Sequence, residues 1–374
     1  MINKLNITLS LVLTLFMASC SSDDDLTVKI TPAQWSSEVK DSEVKILLSP
    51  EDDNTRASVD SDADGVFSAN GLGVFCLATD KIDPSTIDID WKKGSDGFRY
   101  SVWVDNAKIN TTRKNGKTSL SWDDGVSRWY PSGSWHKYGF YGYYPIVDNE
   151  NINYTSTSIT ATIPLDGTQD VIYGNATSDE AYAYSREYFK KTLNKYKVTK
   201  MEFEHKFMRL KFRITAGTVD GKVTDALNTG VTKIEVVNVP KEVRMVIADK
   251  NNPINNGTLS FTHDMNNSYE LKTADDADGI SSLFKHKDGD ENTPLAYWVP
   301  ETWLPVIGQG ILLPVPASAD DYYYVRLTLV NKNGEKKVSD LVKITPKNPF
   351  VAAKSYRVDL IIRGFNTIQT QLEN

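Results

Sequence analysis

Apolar residues along this chain recur mostly at every second position, in short runs broken by Gly, Pro, Asn and Asp, and that period predicts strands with one buried face. The pattern marks strands at Val28–Ile30 and Val44–Leu48, then a buried run at Gly71–Leu77 and another strand at Phe98–Val104. Trp129-Tyr130-Pro131 precedes the aromatic run Lys137–Pro145, which Pro145 ends because proline has no N–H to give a ladder. The clearest alternation spans Val198–Ile214. Met201, Phe203, His205 and Phe207 share one parity there, and Met208, Leu210, Phe212 and Ile214 share the other. A parity change in mid-run predicts a bulge near Phe207-Met208. Gly217–Val231 reads as a linker. A second set of strands follows at Ile234–Pro240, Leu259–Phe261, Tyr297–Pro300, Tyr322–Val330 and Tyr356–Ile362. The tail after Arg363 is poorer, because Phe365, Ile368 and Leu372 do not alternate cleanly. One helix start is marked, at Thr177-Ser178-Asp179-Glu180, where capping and acidic first-turn residues lead into Ala181–Ala183.

Many short strands with few helices predict an all-β chain of β-sandwiches rather than a parallel sheet. At 374 residues there is room for two of them, over residues 27–217 and 218–374. The abundance of Tyr, 18 residues against 13 Phe and 8 Trp, fits strands. A formal net charge of −7 argues against nucleic acid, whose phosphates call for basic stripes.

The first residues are of another kind. One positive charge, Lys4, precedes the apolar stretch Leu5–Met17 and the small residues Ala18-Ser19, which is the plan of a secretory signal over residues 1–19. The stretch falls short of the ~20 residues a membrane-spanning helix needs. Cys20 at the cut position resembles a bacterial lipobox, with Met17 where Leu is commonest, and implies a lipidated Cys20. Ser21–Asp25 resembles the acidic tag of surface-exposed lipoproteins. With Cys20 lipidated, Cys76 has no intrachain partner, and its run Gly73–Leu77 marks it as a small buried hydrophobe.

Catalytic and metal-binding patterns are weak. His136, His205, His263 and His286 have no metal-ligand spacing, and their aromatic neighbours favour structural roles for His136 and His205. No nucleophile elbow or phosphate-binding loop occurs. Asp60–Gly65 opens like a calcium loop, but Gly71 stands where the twelfth-position Glu belongs, so the segment reads as an acidic turn. No enzyme, cofactor or metal is expected.

Several strings in order resemble the fimbrillin family of Bacteroidales, including its Mfa-like branch. They are Trp129–Pro131 with Phe140–Pro145, Asp170–Gly174, Phe203–Leu210, Tyr297–Glu301 and Ala353–Val358. Gly174 departs from a common Ala, and Ala353 from a common Gly. The resemblance implies two tandem transthyretin-like or Ig-like Greek-key sandwiches. It also implies an N-terminal strand removed by an Arg-specific protease, and a groove filled by the C-terminal strand of the next subunit. Arg56 and Ala57 flank the candidate cut, which makes residues 20–56 a candidate prosegment. The partners so implied are other fimbrial subunits, the outer membrane through the lipid before processing, and a host or bacterial surface ligand; the place is the cell surface and its fimbria. A second reading is a surface glycan-binding lipoprotein. It would need coplanar exposed rings among Trp91, Trp103, Trp122, Trp129, Trp135, Trp298 and Trp303.

Overall fold

The computed structural model describes residues 46–50, 71–114, 117–131, 135–191, 198–271, 284–303, 306–318, 321–365 and 367–373. The strand expected at Val28–Ile30, the start of the one at Val44–Leu48, and Cys20, Arg56, Ala57 and Asp60–Gly65 lie outside the described residues. No helix among the described residues is long and apolar enough to cross a membrane.

The chain is all-β, as its period predicts. The strands of the first half are β1 (Leu48–Pro50), β2 (Leu72–Lys81), β3 (Val102–Lys114), β4 (Lys117–Trp122), β5 (His136–Tyr144), β6 (Ile152–Tyr154), β7 (Ser158–Pro164), β8 (Ile172–Ala176) and β9 (Thr199–His205). Those that follow are β10 (Phe207–Ala216), β11 (Thr229–Val237), β12 (Glu242–Asp249), β13 (Leu259–Ser260), β14 (Ser268–Glu270), β15 (Tyr297–Trp298), β16 (Ile307–Pro314), β17 (Tyr324–Asn331), β18 (Lys336–Val338), β19 (Val342–Lys343), β20 (Ser355–Gly364) and β21 (Thr367–Glu373).

Two hydrophobic cores form, each between two sheets. The first lies between the sheet ordered β1-β9-β8-β5-β2-β3-β4 and the sheet β13-β12-β7-β6. The second lies between β16-β10-β20-β21 and β14-β11-β17-β18, with β15 on β11 and β19 on β17. Full burial of Phe75, Phe140, Tyr143 and Phe203 anchors the first, and of Phe212, Val325, Val358 and Leu360 the second.

The parity change in Val198–Ile214 has a different cause from the bulge expected there. The run is two strands, and the chain leaves one sheet for another at Lys206, whose N–H donates to Val171 O at 2.7 Å. Phe207 is buried in the first core and the next residue, Met208, in the second. Adjacent side chains in an extended chain point to opposite sides, so one dipeptide serves both cores. The change of core therefore falls at 207/208, ahead of the linker 217–231. The chain also returns: β12 pairs with β7, and Val243, Met245 and Ile247 lie in the first core.

Three further differences are local. Phe98–Ser101, read as strand, is a helical turn before β3. The helix marked at Thr177 is a set of turns, and the helix itself is Arg186–Lys191. The tail forms β21, antiparallel to β20 with Ile362↔Ile368 and Val358↔Leu372 in register. The turn at Phe365 resets the parity, so Phe365 does not belong to the alternation of Ile368 and Leu372.

The cores hold many phenols. Burial pushes Tyr138, Tyr141, Tyr143, Tyr173, Tyr269 and Tyr323 well above the ordinary tyrosine range, and Tyr297 up to about 12. Among them Tyr173 donates its hydroxyl to Ile247 O at 3.1 Å and Tyr323 to Pro314 O at 2.8 Å. A proton held by the folded state above the value at which the unfolded chain releases it makes stability fall as pH rises. Above pH ~10 each such phenol costs up to about 1.4 kcal/mol per pH unit. In an alkaline titration, tyrosinate absorbance from the buried set should rise in one cooperative step, together with loss of the β circular dichroism signal. A gradual rise near the free-tyrosine value, with the β signal intact, would contradict this burial.

Ala353, where the resembling family commonly has Gly, adopts φ of +59°, and its N–H donates to Phe207 O at 2.7 Å. A left-handed Ala costs about 1–2 kcal/mol, partly offset by the entropy an added Gly gives the unfolded chain. Ala353→Gly should raise the urea midpoint, by about 0.5–1 kcal/mol in stability.

Candidate functional site

The edge of the first sheet offers a slot for a strand, and β1 occupies it. β1 runs parallel to β9, with Leu48↔Thr199, Ser49↔Lys200 and Pro50↔Met201 in register. On that side Thr199 N–H donates to Leu47 O at 2.9 Å. On the other side Ile46 N–H donates to Arg128 O at 2.8 Å, and β4 also lies close to β1. The two ends of the first sheet thus come together at this short segment. Ile46 is 2% exposed and Leu48 8%, and both enter the first core. The walls are tied independently of β1: the Tyr130 and Thr199 hydroxyls lie 2.5 Å apart, and the Tyr130 ring packs on Phe189 at 4.3 Å and edge-on to Phe140. On β2 in the same core Cys76 is fully buried and free, and burial pushes its thiol well above the usual range.

Three of the strings that carry the family resemblance, Asp170–Gly174, Phe203–Leu210 and Ala353–Val358, meet at the passage between the cores. β8 and β9 are antiparallel, with Ile172 opposite His205. The His205 Nδ1 is hydrogen-bonded to Asp170 Oδ2, and Asp170 also accepts from the Val171 N–H at 2.8 Å. This His–Asp pair holds the bend that Lys206 completes; its place is structural. Gly174 is explained in the same place: a Cβ there would sit 2.3 Å from the Phe203 ring. Tyr297–Pro300 joins the second core, where Pro300 O accepts from the Ala216 N–H at 2.8 Å.

The other histidines are likewise held by backbone carbonyls: His136 faces Ile87 O at 3.0 Å, His263 faces Asn238 O at 2.7 Å, and His286 faces Thr293 O. Among the described residues no group of His, Cys, Asp and Glu is arranged to hold a metal. Of the tryptophans weighed for stacking on sugars, Trp91 is buried and donates to Ala78 O; Trp103, Trp135 and Trp303 are exposed. Trp303 lies against the Arg213 guanidinium, 4.6 Å from ring centroid to carbon. An open groove of about 670 Å³ between Arg244, Phe261 and His263 is crossed by the Lys241–Asp264 ion pair at 3.0 Å.

The far end of the chain supplies an edge strand. β21 borders its sheet, and β20 is its neighbour. Sequence reasoning undervalued this strand because it counted Phe365 into the pattern. The slot itself left no signal beyond the apolar positions Ile46 and Leu48; its walls, 128–130 and 199–201, are seventy residues apart.

Solved structures with similarity along most of the chain are candidate cell adhesion proteins. That from Bacteroides uniformis is 15% identical with a TM-score of 0.44, covering 88% of this chain and 97% of its own. That from Parabacteroides distasonis is 6% identical with a TM-score of 0.44, covering 88% and 96%. That from Bacteroides fragilis is 12% identical with a TM-score of 0.36, covering 89% and 97%. No curated protein matches. The fimbrillin-like family matches residues 55–373, from the residue before Arg56 through both cores to the end of β21, and the chain belongs to that family.

Proposed function

We propose that this chain is a structural subunit of a cell-surface fimbria that serves adhesion, exported as a lipoprotein through Cys20 and assembled by strand exchange. Its partners are other copies or other fimbrial subunits, and it sits on the outer membrane by its lipid before processing. Cleavage between Arg56 and Ala57 removes the prosegment 20–56, and with it β1 and the lipid. Two sandwich units, one around each core, carry the slot and the donor.

The observation that supports this reading is the way β1 is held. It lies six residues before Arg56 and fills a slot that can bond a strand on both sides. An unpaired edge takes up an added strand through backbone bonds, and its pockets for alternate side chains set the register. While β1 is tethered, its effective concentration at the slot excludes a strand from solution. Cutting the tether turns a three-residue strand into a weak competitor, and a donor from a neighbour can win. β21, at a sheet edge near the C-terminus, is the candidate donor.

The test is the N-terminus and intact mass of the protein taken from its native cell surface. A start at Ala57 is the expected result. A lipidated start at Cys20, with no shorter form, would overturn the cleavage step.

A further inference from the structure

β10 and β20 lie side by side in parallel over eight register pairs, from Arg209↔Ser355 to Ala216↔Ile362, without interruption. Bonds beyond the pairs close both ends. Ala353 N–H donates to Phe207 O at 2.7 Å, Arg209 N–H to Lys354 O at 2.9 Å, and Gly217 N–H to Ile362 O at 2.7 Å. β10 starts at the first core, since Phe207 is buried there, and β20 ends at the far side, where Gly364 meets Asp225. Tension between the first core and the C-terminus therefore draws β10 by its beginning and β20 by its end, in opposite directions. For parallel strands that is shear, in which every rung of the ladder is loaded at once. The β20–β21 pair is antiparallel and joined by a tight turn, so the same tension peels it one pair at a time.

A cross-strand pair fixes the register. Arg213 on β10 stands opposite Asp359 on β20 and holds it by two bonds, Nε to Oδ1 at 2.9 Å and Nη2 to Oδ2 at 3.0 Å. Two-pronged bonds of this kind are directional as well as strong. The Asp359 side chain is 1% exposed, and Trp303 lies over the guanidinium. Tension draws β20 toward its C-terminal end. A slip of one residue sets Arg213 against Val358, whose side chain belongs to the core face. A slip of two sets it against Arg357, a like charge.

We propose that the β10–β20 ladder, locked by Arg213 and Asp359, is a shear clamp that bears tension along the subunit. Its direction of loading rests on the fimbrial reading above. In a fimbria whose C-terminal strand has left to fill a neighbour's slot, β20 becomes an edge strand, and β10 is its remaining partner in the sheet. The clamp is then the link between one donor and the next slot.

Single-molecule stretching of the full chain tests it in two geometries. Lys200→Cys on the slot wall with a handle at the C-terminus loads the ladder in shear. Lys222→Cys, just beyond the far end of β10, with the same C-terminal handle opens it like a zipper. Both lysines are exposed, buried Cys76 stays unlabelled in the folded chain, and Cys20 is replaced by Ser so that each handle has one site. We expect an early short release of β21 in both. In the shear geometry a main rupture should follow at several-fold higher force than in the zipper geometry. Asp359→Asn, checked for folding by circular dichroism, should lower the shear rupture more than the zipper one. Equal rupture forces in the two geometries would overturn the clamp, as would a first core that opens before β20 leaves β10. Both outcomes concern the isolated chain, whereas the start residue at the cell surface bears on assembly alone.

Discussion

Asp359→Ala should cost the second core about 3–5 kcal/mol, the range for breaking a buried ion pair by removing one member. The carboxylate is nearly inaccessible and is held by Arg213 on the facing strand and by Arg357 Nε at 3.2 Å. Arg213 is itself about four-fifths buried, with Trp303 over its guanidinium, so most of the group is out of reach of water that could replace the lost partner. Part of the cost is the desolvated guanidinium left behind, which gives the prediction its check. Adding Arg213→Met to Asp359→Ala should recover a large share of the loss, because an apolar pair of similar volume removes the stranded charge. Urea unfolding of the two single variants and the double variant reads both effects. Simple addition of the two single losses would show that the pair does not act as a unit.

How the fold was written in the sequence depends on what kind of information each element needs. β2, β5, β17 and β20 were legible because a strand's faces follow from its own alternation. Partners do not follow from it. Nothing in Ile234–Pro240 tells that the next strand, β12, crosses back to pair with β7 and complete the first core. The double face at Phe207 and Met208 looked like a bulge because both readings flip the inward side by one residue; only the presence of a second core separates them. The helical turn at Phe98–Ser101 was hidden under aromatic residues that also suit strands. Of the two departures, Gly174 is a position where a close ring leaves no room for a Cβ, whereas Ala353 holds a left-handed conformation that favours the family's Gly. Of the candidate site, Ile46 and Leu48 were visible as an alternating pair, and the slot that receives them was not, since it is made by residues far apart in the chain.

A chain that begins at Ala57 should be much less stable as a monomer than the chain with β1 in place. Ile46 and Leu48 alone represent about 1.5–3 kcal/mol each of apolar burial. Their removal leaves the edges at Arg128 and Thr199 with unsatisfied backbone groups, and open edges associate. The shortened chain should therefore melt lower and form oligomers. A synthetic peptide covering residues 44–50 should restore the monomer in proportion to its concentration, as any ligand of the folded state does. The same peptide with Ile46→Ser and Leu48→Ser keeps every backbone bond and loses the buried pair, so it should fail. A peptide with the two apolar residues moved by one position should fail as well, because a one-residue shift turns them out of the core. Equal rescue by all three peptides would mean that the slot reads backbone alone. It could then not select a donor by register, and exchange with β21 of a neighbour would have no specificity. Rescue by the first peptide only would define the pattern a donor must carry: apolar residues two apart, as at Ile46 and Leu48. In β21 Ile368, Thr370 and Leu372 follow one another at that spacing along the sequence, and the polar one is in the middle. Thr370→Val should accordingly make a β21 peptide a stronger competitor for the slot, measured by displacement of a labelled 44–50 peptide.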